Sequence, residues 1–411
     1  MKKLSKILVV AAVFMVCLGF GLGSTAFAAP KTPKAIVIGA HLPLSGAMAS
    51  LGQERLWAYQ AAVDDINAAG GIYVKEFDTK LPVEFICLDD ETDPAKAAAA
   101  VERLVKQRKV DFIMGGESAP FGVIPGAIAA EKYKVLYHTT SCVTPAWQEQ
   151  EFAWSTLLWY DPAQGTAVPF PIWDKLKENG TAIEKPALFM EDTFDGRIMN
   201  ETFKKNAADA GYTVVMEEYC VPGAKDYSAQ ILKAKAAGVD AIILFANTSD
   251  CVTFVRQMKE NDFSVKNLIG YKGTWAAEFF EATGKDGEYV MNDTLWHEAM
   301  PFPGNKELAE RFKAKFGKDS TVVGLTYALA QVLFQGIEKA GTLNSLDVRN
   351  AIIDGGTYDT LIGPVTYDKT GLAIFPLMAA QWESDGGQSL IYPFEWKTSE
   401  PKVIVPWKDR K

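Results

Sequence analysis

The chain has 411 residues, 42 basic and 51 acidic, giving a formal charge of -9, and 48% of it is hydrophobic. An acidic balance argues against a nucleic-acid partner, because neutralising phosphates takes clustered Lys and Arg. The length and apolar content suffice for two cores of ordinary size.

Lys2, Lys3 and Lys6 precede an apolar run over 7–22, and Ala26-Phe27-Ala28 has the small-x-small pattern of a signal-peptidase site. This predicts a signal peptide at 1–28, a mature chain starting near Ala29 and a periplasmic location. The apolar run is short for a membrane span, and no stop-transfer pattern follows it. Cys17 lacks the Gly or Ala usual just before a lipidated cysteine, which favours a soluble exported protein over a lipoprotein. Processing would leave 39 basic against 51 acidic residues, a formal charge of -12. Cys87, Cys142, Cys220 and Cys251 remain; they allow three pairings, with Cys220 and Cys251 best placed, each just past a predicted strand.

Beyond residue 34, strands and helices alternate. An apolar run over 35–40 (AIVIGA) leads into a helix over 52–69, with Leu56, Tyr59, Ala62, Val63 and Ile66 at helical spacing before Gly70-Gly71 stops it. Strands over 83–88, 112–114 and 135–137 alternate with helices from Asp93-Pro94 to 107 and over 124–132. A second series runs through strands at 187–190, 213–219, 241–245, 267–269 and 289–291, with helices at 196–210, 227–237 and 251–261. Helices over 306–316 and 321–340 follow.

The expected class is therefore α/β, with two doubly wound parallel-sheet lobes. Residues 35–155 with 297–361 would form one lobe, and 160–294 with 364–411 the other. The segments 152–162, 295–303 and 362–367 would make three crossings, and the tail from 391 would pack along the second lobe. Ligands of open parallel sheets bind beyond the carboxyl ends of the strands, so function should lie in those loops.

Ordered motifs over nearly the whole mature chain carry a resemblance: residues 36–46 (IVIGAHLPLSG), 62–72 (AVDDINAAGGI), 89–94 (DDETDP), 225–228 (KDYS) and 362–371 (IGPVTYDKTG). In these the chain resembles the leucine/isoleucine/valine-binding proteins, type I periplasmic substrate-binding components of ABC transporters. The resemblance implies a two-lobed clamp, monomeric, that closes on a small-molecule ligand and presents it to a membrane permease, with no bond made and no cofactor.

Carried over position by position, the family's site is altered. Its carboxylate-holding serine aligns with Ala119, next to Ser118. Its threonine before x-Pro aligns with Val143 in the loop Ser141-Cys142-Val143-Thr144-Pro145. Its tyrosine near the first loop aligns with Leu51, and its ammonium-receiving acid with Lys272. Two hydroxyls are lost and an acid becomes a base, so the expected ligand is a carboxylate lacking the α-amino group. A buried lysine is stabilised by such an anion and costly without one. Phe121, Phe194, Trp275 and Trp147 would suit an aromatic or aliphatic body. Asn247 is expected to line the pocket, and Ser249 and Asp250 to cap the helix that follows.

An enzymatic reading has less support. His41, His138 and His297 each fall near a strand end, but their spacing gives no metal pattern, and neither GxSxG nor GxxxxGK[ST] occurs. A ligand sensor that signals to a partner protein stays open, because one clamp fold serves both uses.

Overall fold

The computed structural model describes residues 31–46 and 48–410; the expected signal peptide at 1–28 lies outside the described residues. The chain enters a sheet with β1 (Ile36–Leu42), whose Ile36, Ile38, Ala40 and Leu42 are fully buried. A short antiparallel pair, β2 (Ile72–Val74) and β3 (Thr79–Leu81), precedes β4 (Val83–Asp89), β5 (Phe112–Gly115), β6 (Tyr137–Thr139) and β7 (Ser155–Trp159). The alternation resumes with β8 (Pro186–Glu191), β9 (Met216–Cys220), β10 (Ala241–Ala246), β11 (Asn267–Lys272) and β12 (Met291–Thr294). After helices Asn305–Phe316, Val323–Ala340 and Ser345–Asp354 come the hairpin β13 (Thr357–Thr360) and β14 (Gly363–Thr366), then β15 (Leu372–Ile374), β16 (Met378–Trp382) and β17 (Gln388–Tyr392).

Among the described residues these strands make two main sheets. The first has the order β15-β7-β6-β5-β1-β4, parallel throughout. The second has the order β17-β16-β12-β11-β10-β8-β9, parallel from β12 to β9. Its β16 runs antiparallel to β12 and to β17, and residues 383–387 between β16 and β17 are too few for a crossover and can only turn the chain back. Both sheets belong to one compact unit, Pro33–Lys411.

Two expected crossings move. The aromatic segment 152–162 contains β7, a fully buried strand of the first sheet, so the passage starts only after Trp159. Residues 362–367 do not cross: Gly363–Thr366 pairs with β13, and β15 then lies parallel to β7, with Leu372 opposite Leu157. The chain leaves the first sheet for the last time between Ile374 and Met378, so the first lobe extends past residue 361. The tail does follow the second lobe, where the Ile404 N–H donates to the Lys266 carbonyl at 2.9 Å and Trp407 Nε1 to the Phe263 carbonyl at 2.8 Å.

The expected pairing of Cys220 with Cys251 is not formed. The four cysteines among the described residues are free thiols, and Cys142, Cys220 and Cys251 are buried. Cys251 Sγ faces the Ala246 carbonyl at 3.7 Å instead.

Candidate functional site

The segments that follow β1, β5, β6, β7, β8, β10 and β11 converge on one cleft and contribute its lining. Its inner compartment is lined by Leu51, Glu117, Ser118, Ala119, Ser141, Val143, Trp159, Tyr160, Asp195, Phe245, Lys272 and Trp275. An outer compartment of about 770 Å³ shares Ser118, Ala119, Asp195 and Lys272 with it and adds Phe121, Ile124, Ile128, Phe194, Pro222 and Asn247.

Local backbone geometry aims these loops. Gly116 has φ +84°, and a Cβ there would sit 2.5 Å from the Tyr137 hydroxyl, so only glycine lets the chain turn over β6 into Glu117 and Ser118. Gly273 packs so closely on the end of β10 that a Cβ would meet the Ala246 carbonyl at 2.3 Å. Ser118, Ser141 and Lys272, one in each of three site loops, have φ of 65°, 65° and 68°. Non-glycine residues in this left-handed region cost about 1–3 kcal/mol each and gather where surrounding structure enforces them.

On the first-lobe side, Arg55 of the helix Ala49–Ala68 is fully buried and paired with Glu117. Its other nitrogens donate to Ser141 Oγ and, at 2.8 Å, to Thr326 Oγ1, while Ser141 Oγ donates to Glu117 at 3.1 Å. A buried charge is tolerable when paired and hydrogen-bonded, and here Arg55 has its counter-charge and a partner for each guanidinium nitrogen. It fixes the loops after β5 and β6 from behind.

On the second-lobe side, Lys272 Nζ donates to both oxygens of Glu191 at 3.1 Å. The lysine therefore has an anionic partner within the chain, contrary to the expectation that only a ligand would supply one. Asp195 lies beside this pair; burial raises its pKa, Lys272 lowers it and Glu191 raises it again. The Lys272 backbone N–H donates to Asp293 Oδ1, which also accepts from Trp275 Nε1. Burial pushes the Asp293 carboxyl up to about 7 despite those bonds.

Of the expected site residues, Leu51, Ser118, Ala119, Ser141, Val143, Lys272 and Trp275 meet in the inner compartment, and Phe121, Phe194 and Asn247 in the outer one. Cys142 is absent from both linings; it points into the core, with Sγ 3.6 Å from the Val143 carbonyl. Trp147 packs on Phe152 at 4.7 Å between ring centroids, away from the cleft. Asp250 does not cap its helix: it accepts from the Gly223 N–H at 3.0 Å and the Tyr227 hydroxyl at 2.9 Å. Glu117, Tyr160, Glu191, Asp195 and Arg55 complete the site and carried no individual signal beyond lying near strand ends or, for Arg55, on the first helix.

The three histidines do not converge. His41 contacts Asp90 and the Tyr137 hydroxyl at 2.8 Å each, and His138 contacts Thr156 Oγ1 at 2.6 Å and the Leu329 carbonyl at 3.0 Å. His297 Nε2 lies 3.0 Å from the Gln388 carbonyl, beside a separate cavity of about 30 Å³. No group of metal-ligating side chains occurs among the described residues.

This arrangement can bind a small molecule between two lobes. Residues 35–388 match the family described as periplasmic binding protein. The chain belongs to that family. Its curated relatives include proteins of the leucine/isoleucine/valine-binding type. It is 25% identical over 369 residues to Leu/Ile/Val-binding protein homolog 2 of Brucella abortus (strain 2308), covering 89% of this chain and 94% of the relative. It is 27% identical to the leucine-, isoleucine-, valine-, threonine-, and alanine-binding protein of Pseudomonas aeruginosa, over 84% and 88% of the two chains. The periplasmic-binding fold is shared with a leucine binding protein, LivK, of Thermotoga maritima (TM-score 0.74, 23% identity, 87% of this chain and 97% of that one). A solute binding protein of an ABC transporter from Rhodopseudomonas palustris, solved in complex with 3,4-dihydroxy benzoic acid, has it as well (TM-score 0.70, 21% identity, 91% and 99%). The chain is thus a periplasmic binding protein, similar over most of its length to proteins of the leucine/isoleucine/valine-binding type.

Proposed function

We propose that this protein is the extracytoplasmic receptor of an ABC transporter, exported with removal of residues 1–28. As a monomer it closes by hinge motion on a small carboxylate that lacks an α-amino group, and it presents that acid to a membrane permease without altering it. The carrying observation is Lys272, the one cation among the described residues lining either compartment of the cleft. An ammonium has three donors, and Glu191 takes two, so a donor is left for a ligand carboxylate. The apolar lining from Phe121, Phe194, Val143 and Trp275 supports an aromatic or aliphatic body. A solved neighbour of the same fold was captured with an aromatic acid.

One observation favours a second reading. Asp195 adds an acid that the Lys272–Glu191 pair does not balance, and it would suit the ammonium of an α-amino acid, the ligand class named for the Pseudomonas aeruginosa relative. Thermal-shift measurements on the mature protein separate the two, because a ligand bound only by the native state raises the melting temperature by mass action. Stabilisation by benzoate-type or aliphatic acids, lost in Lys272→Gln, is the expected result. Stabilisation by leucine or valine alone would replace the carboxylate reading with the amino-acid one.

A further inference from the structure

The cleft is graded from charged to apolar along its depth. Lys272 and Asp195 line both compartments and Glu191 joins them in the outer one, whose remaining wall is mostly apolar, with Phe121, Ile124 and Ile128 from one lobe and Phe194 and Pro222 from the other beside Glu149 and Gln150. Phe121 of the π-helical turn Ser118–Val123 and Ile124 and Ile128 of the helix Ile124–Tyr133, one turn apart, all face this compartment. Phe121, Ile128 and Phe194 are 43%, 53% and 55% exposed, an unusual concentration of large apolar side chains at one mouth. The compartment's volume, about 770 Å³, equals the liquid volume of roughly 25 waters at about 30 Å³ each. That is far more than the side chain of a branched-chain amino acid fills, and it lies in the range of pockets for much larger ligands, roughly 300–1,000 Å³.

We infer that the outer compartment is a tail subsite and that the ligand is an elongated carboxylate, an alkanoate or phenylalkanoate whose head group meets Lys272 and whose chain runs outward between Phe121, Ile128 and Phe194. This rests on the carboxylate reading and adds length as the selected property. Each methylene drawn from water into such a wall is worth about 0.8 kcal/mol, roughly a three- to fourfold gain in affinity.

Titration calorimetry of the mature protein with the straight-chain series from butanoate to decanoate, and with 5-phenylpentanoate, tests this. The expected result is an affinity that climbs about threefold per added methylene until the tail fills the compartment. Ile128→Glu is exposed enough to fold normally, and by forcing a carboxylate against the tail it should lower the decanoate-to-butanoate affinity ratio on the order of tenfold. Phe194→Ala should lower the same ratio by less. A ratio that is flat or falls with length, or one that Ile128→Glu leaves unchanged, overturns the tail subsite while short acids that bind keep the carboxylate reading. If no alkanoate binds and α-amino acids do, both fall together.

Discussion

Asp293 Oδ1 holds the backbone N–H of Lys272 at 3.1 Å, while Asp293 Oδ2 is buried with no hydrogen-bond partner among the described residues. One oxygen therefore fixes the left-handed turn that presents the cleft's lysine, and the other makes ionisation costly. Burial raises the carboxyl from 3.8 to about 7, so between those values the folded chain keeps a proton that the unfolded chain releases. Its contribution is fully present below about pH 4 and is lost as pH rises toward 7, by up to about 1.4 kcal/mol per pH unit. Urea unfolding of the wild type and Asp293→Asn across pH 4–8 should show the wild type losing ground over that window while the variant does not. Parallel pH profiles would reject the assignment.

The Lys272–Glu191 pair predicts a non-additive pair of substitutions. Lys272→Met strands Glu191, whose side chain is only 4% exposed, and should destabilise by about 3 kcal/mol. Adding Glu191→Gln should recover most of that loss, because no buried charge is then left alone. Additive losses in a double-mutant cycle from chemical denaturation would mean that the two side chains do not depend on each other.

Arg55 is predicted to be more sensitive still. Arg55→Met removes the counter-charge of buried Glu117 along with the donors to Ser141 and Thr326, so a loss of about 3–5 kcal/mol is expected. Ligand binding should weaken in any fraction that folds, since the loops after β5 and β6 lose their shared anchor. Near-normal stability by circular dichroism melting would show that the network is dispensable.

Glu278 of the second lobe meets the first lobe at the cleft edge. Ser50 Oγ donates to its Oε1 at 2.6 Å, and Lys318 approaches the same oxygen at 3.4 Å while pairing with Glu54 at 3.0 Å. Under the proposed hinge motion these bonds would favour the arrangement in which the lobes touch, by about 1 kcal/mol. Glu278→Ala should therefore raise the ligand Kd about fivefold, chiefly through faster release, and enlarge the radius of gyration seen by small-angle X-ray scattering. An unchanged release rate would show that the contact does not bias closure.

Much of the fold was legible because strands buried on both faces read as unbroken apolar runs, as in 241–246 (AIILFA) and 36–42 (IVIGAHL). Short strands at the lobe boundary were not. Ser155–Trp159 looked like an aromatic link, and Leu372–Ile374 is three residues long with nothing in its composition to tie it to β7 across more than 200 residues. In the site, the unusual identity of Lys272 could be read, but its partner could not, since Glu191 lies 81 positions away and meets it only through the β8–β10–β11 order. Cys142 was misread for a local reason. The left-handed φ at Ser141 turns that hydroxyl toward Arg55, and the next side chain goes into the core.

The four thiols offer an internal clock. Burial pushes every one of them well above its ordinary pKa, Cys220 to about 12, and only Cys87 is even partly exposed. Alkylating reagents attack thiolates, so the native chain should stay unlabelled while any molecule that opens is tagged at up to four places. Mass spectrometry after a timed pulse of iodoacetamide would then count opening events lobe by lobe, with Cys142 reporting on the first sheet and Cys220 and Cys251 on the second, without a single introduced residue.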